Sequence, residues 1–326
     1  MMKQVVKIGT RDSQLAVWQA THVQNLLKEF GVHSELIFIK SEGDIDTITP
    51  LYELGVQGIF TKTLDAALLN NRIDIAVHSM KDVPTKMAEG IRQAAVLKRA
   101  SYKDILVTKG EQKSIAEEFN SNSPFTIHHS QFTTHHSPFT VATSSIRRKA
   151  QWLHRYPTDC IENLRGNVNT RLKKLEHHNW DGAIFAAAGL ERINLRPQNS
   201  IDLDWMLPAP AQGAIMAVCR DNDNLSYDAC RLLNDEPTAI CTKIERDFLR
   251  ALLGGCSTPI SALTVIENNV IIFKGNICSV DGKKKIEVEK KVESENSDEL
   301  GTIAAHELLK NEDAEEIIFN IRNAKK

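Results

Sequence analysis

The chain has 326 residues, of which 42% are hydrophobic and 25% charged, with a formal net charge of −2. That profile excludes a disordered chain and a wholesale nucleic-acid binder. No stretch approaches the roughly 18 consecutive apolar residues of a membrane span, and Met1–Gln4 leads into a strand-like segment without a signal peptide's apolar run, so a cytoplasmic protein with no membrane partner is expected.

At roughly 100–200 residues per domain the length predicts two or three domains. Val5–Thr10 reads as a strand, followed by an amphipathic stretch with Leu15, Trp18, Val23 and Leu26. Glu35–Lys40 is a second strand candidate, Phe60–Leu69 a helix, and Asp74–Val77 a buried strand ending in a polar loop. Strands alternating with helices predict a mostly parallel sheet. The pattern restarts near residue 105, with strands at Ile105–Thr108, Thr140–Thr143, Cys160–Leu164 and Gly182–Ala187, and helices at Ile146–His154 and Thr170–His177. Leu207–Pro210 reads as a crossing between lobes, after which Ile215–Arg220 is a strand. The boundaries expected are 1–100 with 214–231 for the first α/β domain and 105–207 for the second. A third, α+β domain is expected over 236–326. Its alternating segments from Ala262 to Val292 surround the turn signals Asn268-Asn269 and Asp281-Gly282, followed by a helix at Leu300–Leu309 and a strand at Glu316–Asn320. Two α/β lobes joined by short crossings place a ligand between them, at the strands' carboxyl ends.

The second domain carries an insertion, 119–140, with a tandem seven-residue repeat: Ser recurs at 123, 130 and 137, and Phe at 125, 132 and 139. Its histidines, His128, His129, His135 and His136, suit metal capture. The favoured reading is an expanded surface loop, since the segment lacks charge and carries two prolines. No metal is expected. The six cysteines are at least eleven residues apart and show no C-x-x-C pairing, so reduced thiols are expected.

Five loop segments carry groups suited to chemistry, four at strand ends and one, around Cys256, after a helical stretch. Cys256 lies in Gly254-Gly255-Cys256-Ser257-Thr258-Pro259, where a thiol can be a nucleophile or carry a covalent group, or pack in a tight turn. Asp82, in His78-Ser79-Met80-Lys81-Asp82-Val83-Pro84, is held after a strand by a proline-restricted turn. It can move protons or stabilise a cation, or be a simple turn residue. Thr143-Ser144-Ser145 opens a helix carrying Arg147 and Arg148, an anion site in one reading and a capped helix start in the other. Arg165-Gly166-Asn167 to Arg171 and Gly9-Thr10-Arg11-Asp12-Ser13 repeat that arrangement. Residues 141–175 hold eight Lys/Arg against Asp159 and Glu162, and converging arginines without a P-loop suggest a polycarboxylate ligand.

These segments in this order resemble the porphobilinogen deaminase (hydroxymethylbilane synthase) family. The matching pieces are I-G-T-R-D-S-Q-L-A-V-W-Q (8–19), D-I-A-V-H-S-M-K-D-V-P (74–84), T-S-S-I-R-R (143–148), L-R-G-N-V-N-T-R-L (164–172), A-A-A-G-L-E-R (186–192), P-A-P-A-Q-G-A (208–214) and G-G-C-S-T-P (254–259). The resemblance implies two periplasmic-binding-protein-like α/β lobes plus a small α+β C-terminal domain with an antiparallel sheet. It implies a transferase of tetrapyrrole biosynthesis that deaminates porphobilinogen and adds four units head to tail onto a dipyrromethane cofactor. Hydroxymethylbilane is then released by hydrolysis. The cofactor is implied to be a thioether on Cys256, with Asp82 catalytic. Cofactor contacts would come from Lys81, Asp82, Thr143, Ser144, Ser145, Arg147, Arg148 and Arg171, and substrate contacts from Arg11, Ser13, Lys62, Arg165, Arg171 and Arg192. A monomer suffices.

Gly55-Val56-Gln57-Gly58 replaces the family's frequent G-G-K-G, Leu253 stands where an acidic residue is common, and Val218-Cys219-Arg220 replaces E-C-R. Two rival readings predict different behaviour. A non-catalytic two-lobe binding module for a polycarboxylate needs neither Cys256 nor Asp82; a cysteine hydrolase would use Cys256 with His78.

Overall fold

A computed structural model describes residues 5–40, 61–109, 138–252 and 258–323. Strand β1 (Val6–Thr10) runs into helix α1 (Gln14–Glu29), whose start is fixed by the Ser13 side chain accepting from the Ala16 amide at 3.3 Å. Gln19, Ala20, Val23 and Leu27 form its buried stripe, at the spacing a helix needs to lay one face on a sheet. Strand β2 (Ser34–Phe38) follows, then α2 (Lys62–Leu69), β3 (Ile75–Ser79) and β4 (Ile91–Val96). The chain then crosses to the second lobe, which contains β5 (Asp104–Thr108), β6 (Thr140–Ala142), α3 (Ile146–Arg155), β7 (Cys160–Glu162), α4 (Val168–His177), β8 (Gly182–Ala186), α5 (Ala187–Glu191) and β9 (Ser200–Asp202). It returns to the first lobe as β10 (Ile215–Arg220).

The two five-stranded sheets share one plan. The first runs β2-β1-β3-β10-β4 and the second β7-β6-β8-β5-β9. In each, three parallel strands are followed by one strand that is antiparallel to both neighbours: β10 against β3 and β4, and β5 against β8 and β9. The expected mostly parallel sheet therefore has an antiparallel member in both lobes. Each sheet is covered on two faces, with Ile8, Val23 and Leu27 in one cluster of the first lobe and Leu64, Met80 and Met216 in the other. Phe185 and Leu190 mark one face of the second lobe, Trp152 and Ile184 the other.

The two crossings lie side by side. The Leu97 amide donates to the Ile215 carbonyl at 3.0 Å, and that of Ala100 to the Gly213 carbonyl at 3.1 Å. Gly213 has φ +88, and a side chain there would start 2.7 Å from the carbonyl oxygens of Ala100 and Ser101. Only glycine allows that approach.

Helix α6 (Asn224–Arg231) packs back on the first lobe's sheet, and the third unit opens with α7 (Glu236–Ala251), capped by Asp235 accepting from the Thr238 amide at 3.0 Å. An antiparallel sheet follows, β11 (Ile260–Glu267), β12 (Val270–Cys278) and β13 (Lys285–Glu293), in that spatial order. Asn268 and Asn269, at φ 49 and 65, make the first turn. Helices α8 (Leu300–Leu308) and α9 (Glu312–Asn323) close the core around Phe248 and Phe273, whose rings meet edge to face at 5.1 Å.

One expectation is overturned: Glu316–Asn320 is not a strand but the centre of α9. Its Ile-Ile-Phe run looks extended, but Ala314, Ile317 and Ile318 are the buried residues, which is a helical spacing. Strands β4 and β9 are also additional to the sequence reading. The repeat histidines His128, His129, His135 and His136, the segment Gly55–Gly58, and Leu253, Gly254, Gly255, Cys256 and Ser257 lie outside the described residues.

Candidate active site between the lobes

Strand β3 ends in a single 3₁₀ turn, Met80–Asp82. Three hydrogen bonds and a proline fix it: Gln19 donates to the Ser79 hydroxyl at 2.9 Å, Met80 N to Ala214 O at 3.0 Å and Val83 N to Met80 O at 3.1 Å, while Pro84 keeps Val83 extended. Met80 and Val83 are buried in the core, so the turn is pinned on both sides of the half-buried Lys81 and Asp82. Lys81 donates to Gln212 Oε1 at 3.2 Å. Burial pushes its ammonium down to about 8; Asp82 opposes the shift, and Arg148 adds to it.

The second lobe supplies the cations. Ser145 caps α3, accepting from the Arg148 amide at 3.5 Å; Thr143 Oγ1 accepts from the Ser145 amide at 3.2 Å; and Ser144 donates to Asn163 Oδ1 at 2.6 Å and to the Leu164 carbonyl. These hydroxyls thus tie the strand, loop and helix together. Arg147 and Arg148 differ from the sequence picture of a displayed pair. They are only 4% and 6% exposed and turn inward onto Asp104, which is 0% exposed. Arg147 Nη1 lies 2.7 Å from Asp104 Oδ2 and donates to the Leu207 carbonyl at 2.8 Å. Arg148 reaches Asp104 Oδ1 at 2.8 and 3.1 Å and the Ile184 carbonyl at 2.8 Å. Gln212, bonded to Lys81, also donates to Asp104 Oδ1 at 2.9 Å. Burial works to raise the Asp104 carboxyl, but the Arg147 and Arg148 charges overcome it and hold the group well below the usual range. Two guanidiniums and one carboxylate leave this buried cluster with net positive charge.

Beyond β7, Arg165 is buried, and Gly166 has φ +110 with Thr170 folded against it. Asn167 caps α4 by accepting from the Thr170 amide at 2.9 Å, and Arg171 Nε donates back to the Gly166 carbonyl at 2.7 Å. Burial lowers Arg171 to about 10, with Arg148 and Arg165 adding to the shift and Asp82 opposing it. Arg171 therefore senses both the cations of its own lobe and the acid of the other. Asn169 Nδ2 donates to Gln14 Oε1 at 2.9 Å, a direct bond from α4 to α1.

On the first lobe's rim, burial and the nearby Arg11 charge push His78 down to about 4. Arg192 donates to the Gly213 carbonyl at 2.7 Å and lies 5.7 Å from the centre of the Trp18 ring; burial lowers it to about 10, opposed by Glu191. Ser13 serves as the α1 cap, and Lys62 is exposed at the first residue of α2. The structure thus brings together Lys81, Asp82, Arg147, Arg148, Arg165 and Arg171, with Arg11 on the first lobe and Arg192, at the end of α5 in the second lobe, reaching across to the crossing at Gly213. Sequence reading missed Asp104 and Gln212. Gln212 sat inside a quoted motif, whereas Asp104 had no signal beyond opening an apolar strand.

Among the described residues no group of three or more His, Cys, Asp or Glu side chains is placed to hold a metal ion, and no helix is long and apolar enough to cross a membrane. Cys219, Cys230, Cys241 and Cys278 are buried, and burial pushes Cys241 up to about 11 and Cys278 to about 12. A buried thiol held that far from ionisation is inert packing.

Comparisons with known proteins converge on one family. Residues 6–228 match the family model described as "Porphobilinogen deaminase, dipyromethane cofactor binding domain", and 239–310 match "Porphobilinogen deaminase, C-terminal domain". The chain is 39% identical to the porphobilinogen deaminase of Nitratiruptor sp. over 309 residues, 93% of each chain. It is 36% identical to that of Chlorobium phaeobacteroides over 98% of this chain and 99% of the relative. Among solved structures, an ancestral cationic amino acid solute binding protein aligns with 70% of this chain and 87% of its own, at 14% identity and a TM-score of 0.42.

Proposed function

The chain belongs to the porphobilinogen deaminase family, and from that premise we propose a role for each group in the cleft. The enzyme is a transferase of tetrapyrrole biosynthesis that polymerises porphobilinogen, and its two-lobe region is a dipyrromethane cofactor binding domain. The residues present suit that group. Acetate and propionate arms call for several guanidiniums, and pyrrole N–H groups call for a carboxylate, which is the donor and acceptor set formed by Arg165, Arg171, Lys81 and Asp82.

Arg165 and Arg171 bind carboxylates at the mouth of the second lobe. Arg147 and Arg148, neutralised only in part by Asp104, add positive charge from below. Lys81 completes the cofactor's carboxylate contacts from the first lobe, while Thr143, Ser144 and Ser145 shape the wall. Arg11, Ser13, Lys62 and Arg192 receive the incoming porphobilinogen together with Arg165 and Arg171. Asp82 faces a pyrrole nitrogen: its carboxylate stabilises the positive charge that develops there as the amine leaves, and accepts the proton released when the new carbon–carbon bond forms. When bound, the dipyrromethane would supply the nucleophilic pyrrole carbon for the first addition, and each later unit adds to the free end of the growing chain. We place its thioether at Cys256, and take four additions before hydrolytic release of hydroxymethylbilane.

The observation that carries this reading is the meeting of Asp82 from one lobe with Arg171 from the other, each within electrostatic reach. A polycarboxylate-binding module gives no reason for a carboxylate at that point. The hydrolase reading needs a basic imidazole, and His78 is 6% exposed and pushed to about 4. We also propose a cytoplasmic monomer acting on a small-molecule substrate, without nucleic acid or membrane partners. The same reading divides the chain into 1–100 with 214–231, 105–207 bearing the 119–140 insertion, and 236–326; the strands' sheet membership supports that division.

The test is the intact mass of the purified protein. A covalent dipyrromethane adduct is expected on the native chain and none on Cys256→Ser. An unmodified mass in active protein would sink the assignment of Cys256.

A further inference from the structure

Helix α7 carries two adjacent charged residues that are both buried and that grip different parts of the molecule. Glu245, 0% exposed, accepts from Arg99 Nη1 at 2.6 Å and Nη2 at 3.0 Å, from the Ala211 amide at 2.6 Å and from the Thr264 amide at 2.7 Å. One carboxylate thereby fastens both interlobe crossings and strand β11 to the helix. Arg246, 7% exposed, reaches the first lobe instead. Its Nη1 donates to the Val83 carbonyl at 2.8 Å and, at 3.4 Å, to that of Met80; its Nη2 donates to the Pro84 carbonyl at 2.7 Å.

Those carbonyls bracket Lys81 and Asp82. A guanidinium has five donors in a fixed plane, so a fork shared by two consecutive carbonyls sets the direction of the turn as well as its position. Pro84 lacks an amide hydrogen, so nothing on its own nitrogen can help to hold the turn. The fork comes from the third domain, and its helix leads in sequence to Cys256, ten residues on.

Resting on the role given above to Asp82, we propose that Arg246 is a positioning residue for that acid: through the Val83 and Pro84 carbonyls it sets where the Asp82 carboxylate stands relative to the cations of the second lobe. Geometry held this closely matters because a displacement of about 1 Å at a reacting group costs about 100-fold in rate. Glu245, by holding the crossings from the same helical turn, keeps that reference frame fixed to both lobes.

The experiment is a double-mutant cycle on the full-length protein with its adduct, using Arg246→Lys, Asp82→Asn and the pair. Arg246→Lys keeps a positive charge but not the fork. It is expected to retain the adduct mass and native circular dichroism, to lose about 30- to 100-fold in kcat with KM changed less than about threefold, and to cost nothing further when Asp82 is already Asn. Losses that multiply in the double variant, or a KM effect at unchanged kcat, would overturn the proposal. Near-normal turnover by Asp82→Asn alone would instead remove the catalytic role of Asp82, and is distinguishable because it appears without touching Arg246. Arg246→Gln is the second variant. Should neither replacement give folded protein, Arg246 is a structural residue and the proposal falls.

Discussion

The two lobes carry different chemistry on the same backbone plan. The central parallel strand of the first sheet, β3, ends in Met80-Lys81-Asp82; the strand in the same place in the second sheet, β8, ends in Ala186-Ala187-Ala188 and reaches its cation only at Arg192. The pair β1 and β6 differs likewise: one leads to Arg11, the other through three hydroxyl residues to Arg147 and Arg148, which are turned away from solvent. The second lobe is therefore a wall of guanidiniums, and the first lobe brings Asp82, the carboxylate to which we assign the proton transfers. A cleft between two walls of like chemistry would bind a polyanion and do nothing to it. On that assignment, the difference between the lobes is what turns a binding cleft into a reaction site.

That contrast can be broken from either side. The largest effect is expected at Asp104→Ala, which leaves Arg147 and Arg148 buried without their carboxylate. The loss is about 3–5 kcal/mol of stability, read from the urea midpoint, and a change below about 1 kcal/mol would mean the guanidiniums escape to water. Next comes Arg171→Gln. Removing one charged hydrogen-bond partner of a carboxylate costs roughly 1.5–3 kcal/mol, or about 10- to 100-fold in kcat/KM for porphobilinogen. Unchanged kinetics would take Arg171 out of the site.

The smallest effect is a pH limb from the first lobe. Lys81 holds its charge below about 8 and loses it above. Affinity for carboxylates therefore falls as pH rises, and kcat/KM should drop about tenfold from its plateau by pH 9. In Lys81→Arg the charge persists at pH 9 and the limb should vanish. If the limb survives in that variant, another group titrates there.

What the sequence made legible follows from what each residue does. Strand-end loops rich in Arg, Ser, Thr and Asp announce themselves because nothing in a core calls for them; Asp82, Arg165 and Arg171 were singled out that way, and the fold sets Arg171 within electrostatic reach of the other two. Asp104 was missed because its partners lie forty and more residues away, and a single acid before Ile-Leu-Val looks like an ordinary strand boundary. Glu245 and Arg246 were missed for the opposite reason. Charged pairs on a helix usually face water, and only the fold reveals that this helical turn is buried between a sheet and two crossings. The α9 residues Ile317, Ile318 and Phe319 misled because three consecutive apolar residues fit a strand as well as a helix, and only packing decides.

The return of the chain after its excursion has a consequence for how the protein is made. Strand β10 sits between β3 and β4 but is the last of the first sheet's strands to leave the ribosome, more than a hundred residues after β4. The second lobe, continuous in sequence from β5 to β9, has all its strands by then. During synthesis the first lobe waits with a gap in mid-sheet and two unpaired strand edges, the kind of surface that recruits chaperones or neighbouring chains. The half-built lobe is the one that will bear Asp82, so the Met80–Asp82 turn takes its final shape only after the chain returns. Met80 finds its backbone partner, the Ala214 carbonyl, only when the returning strand slots into place.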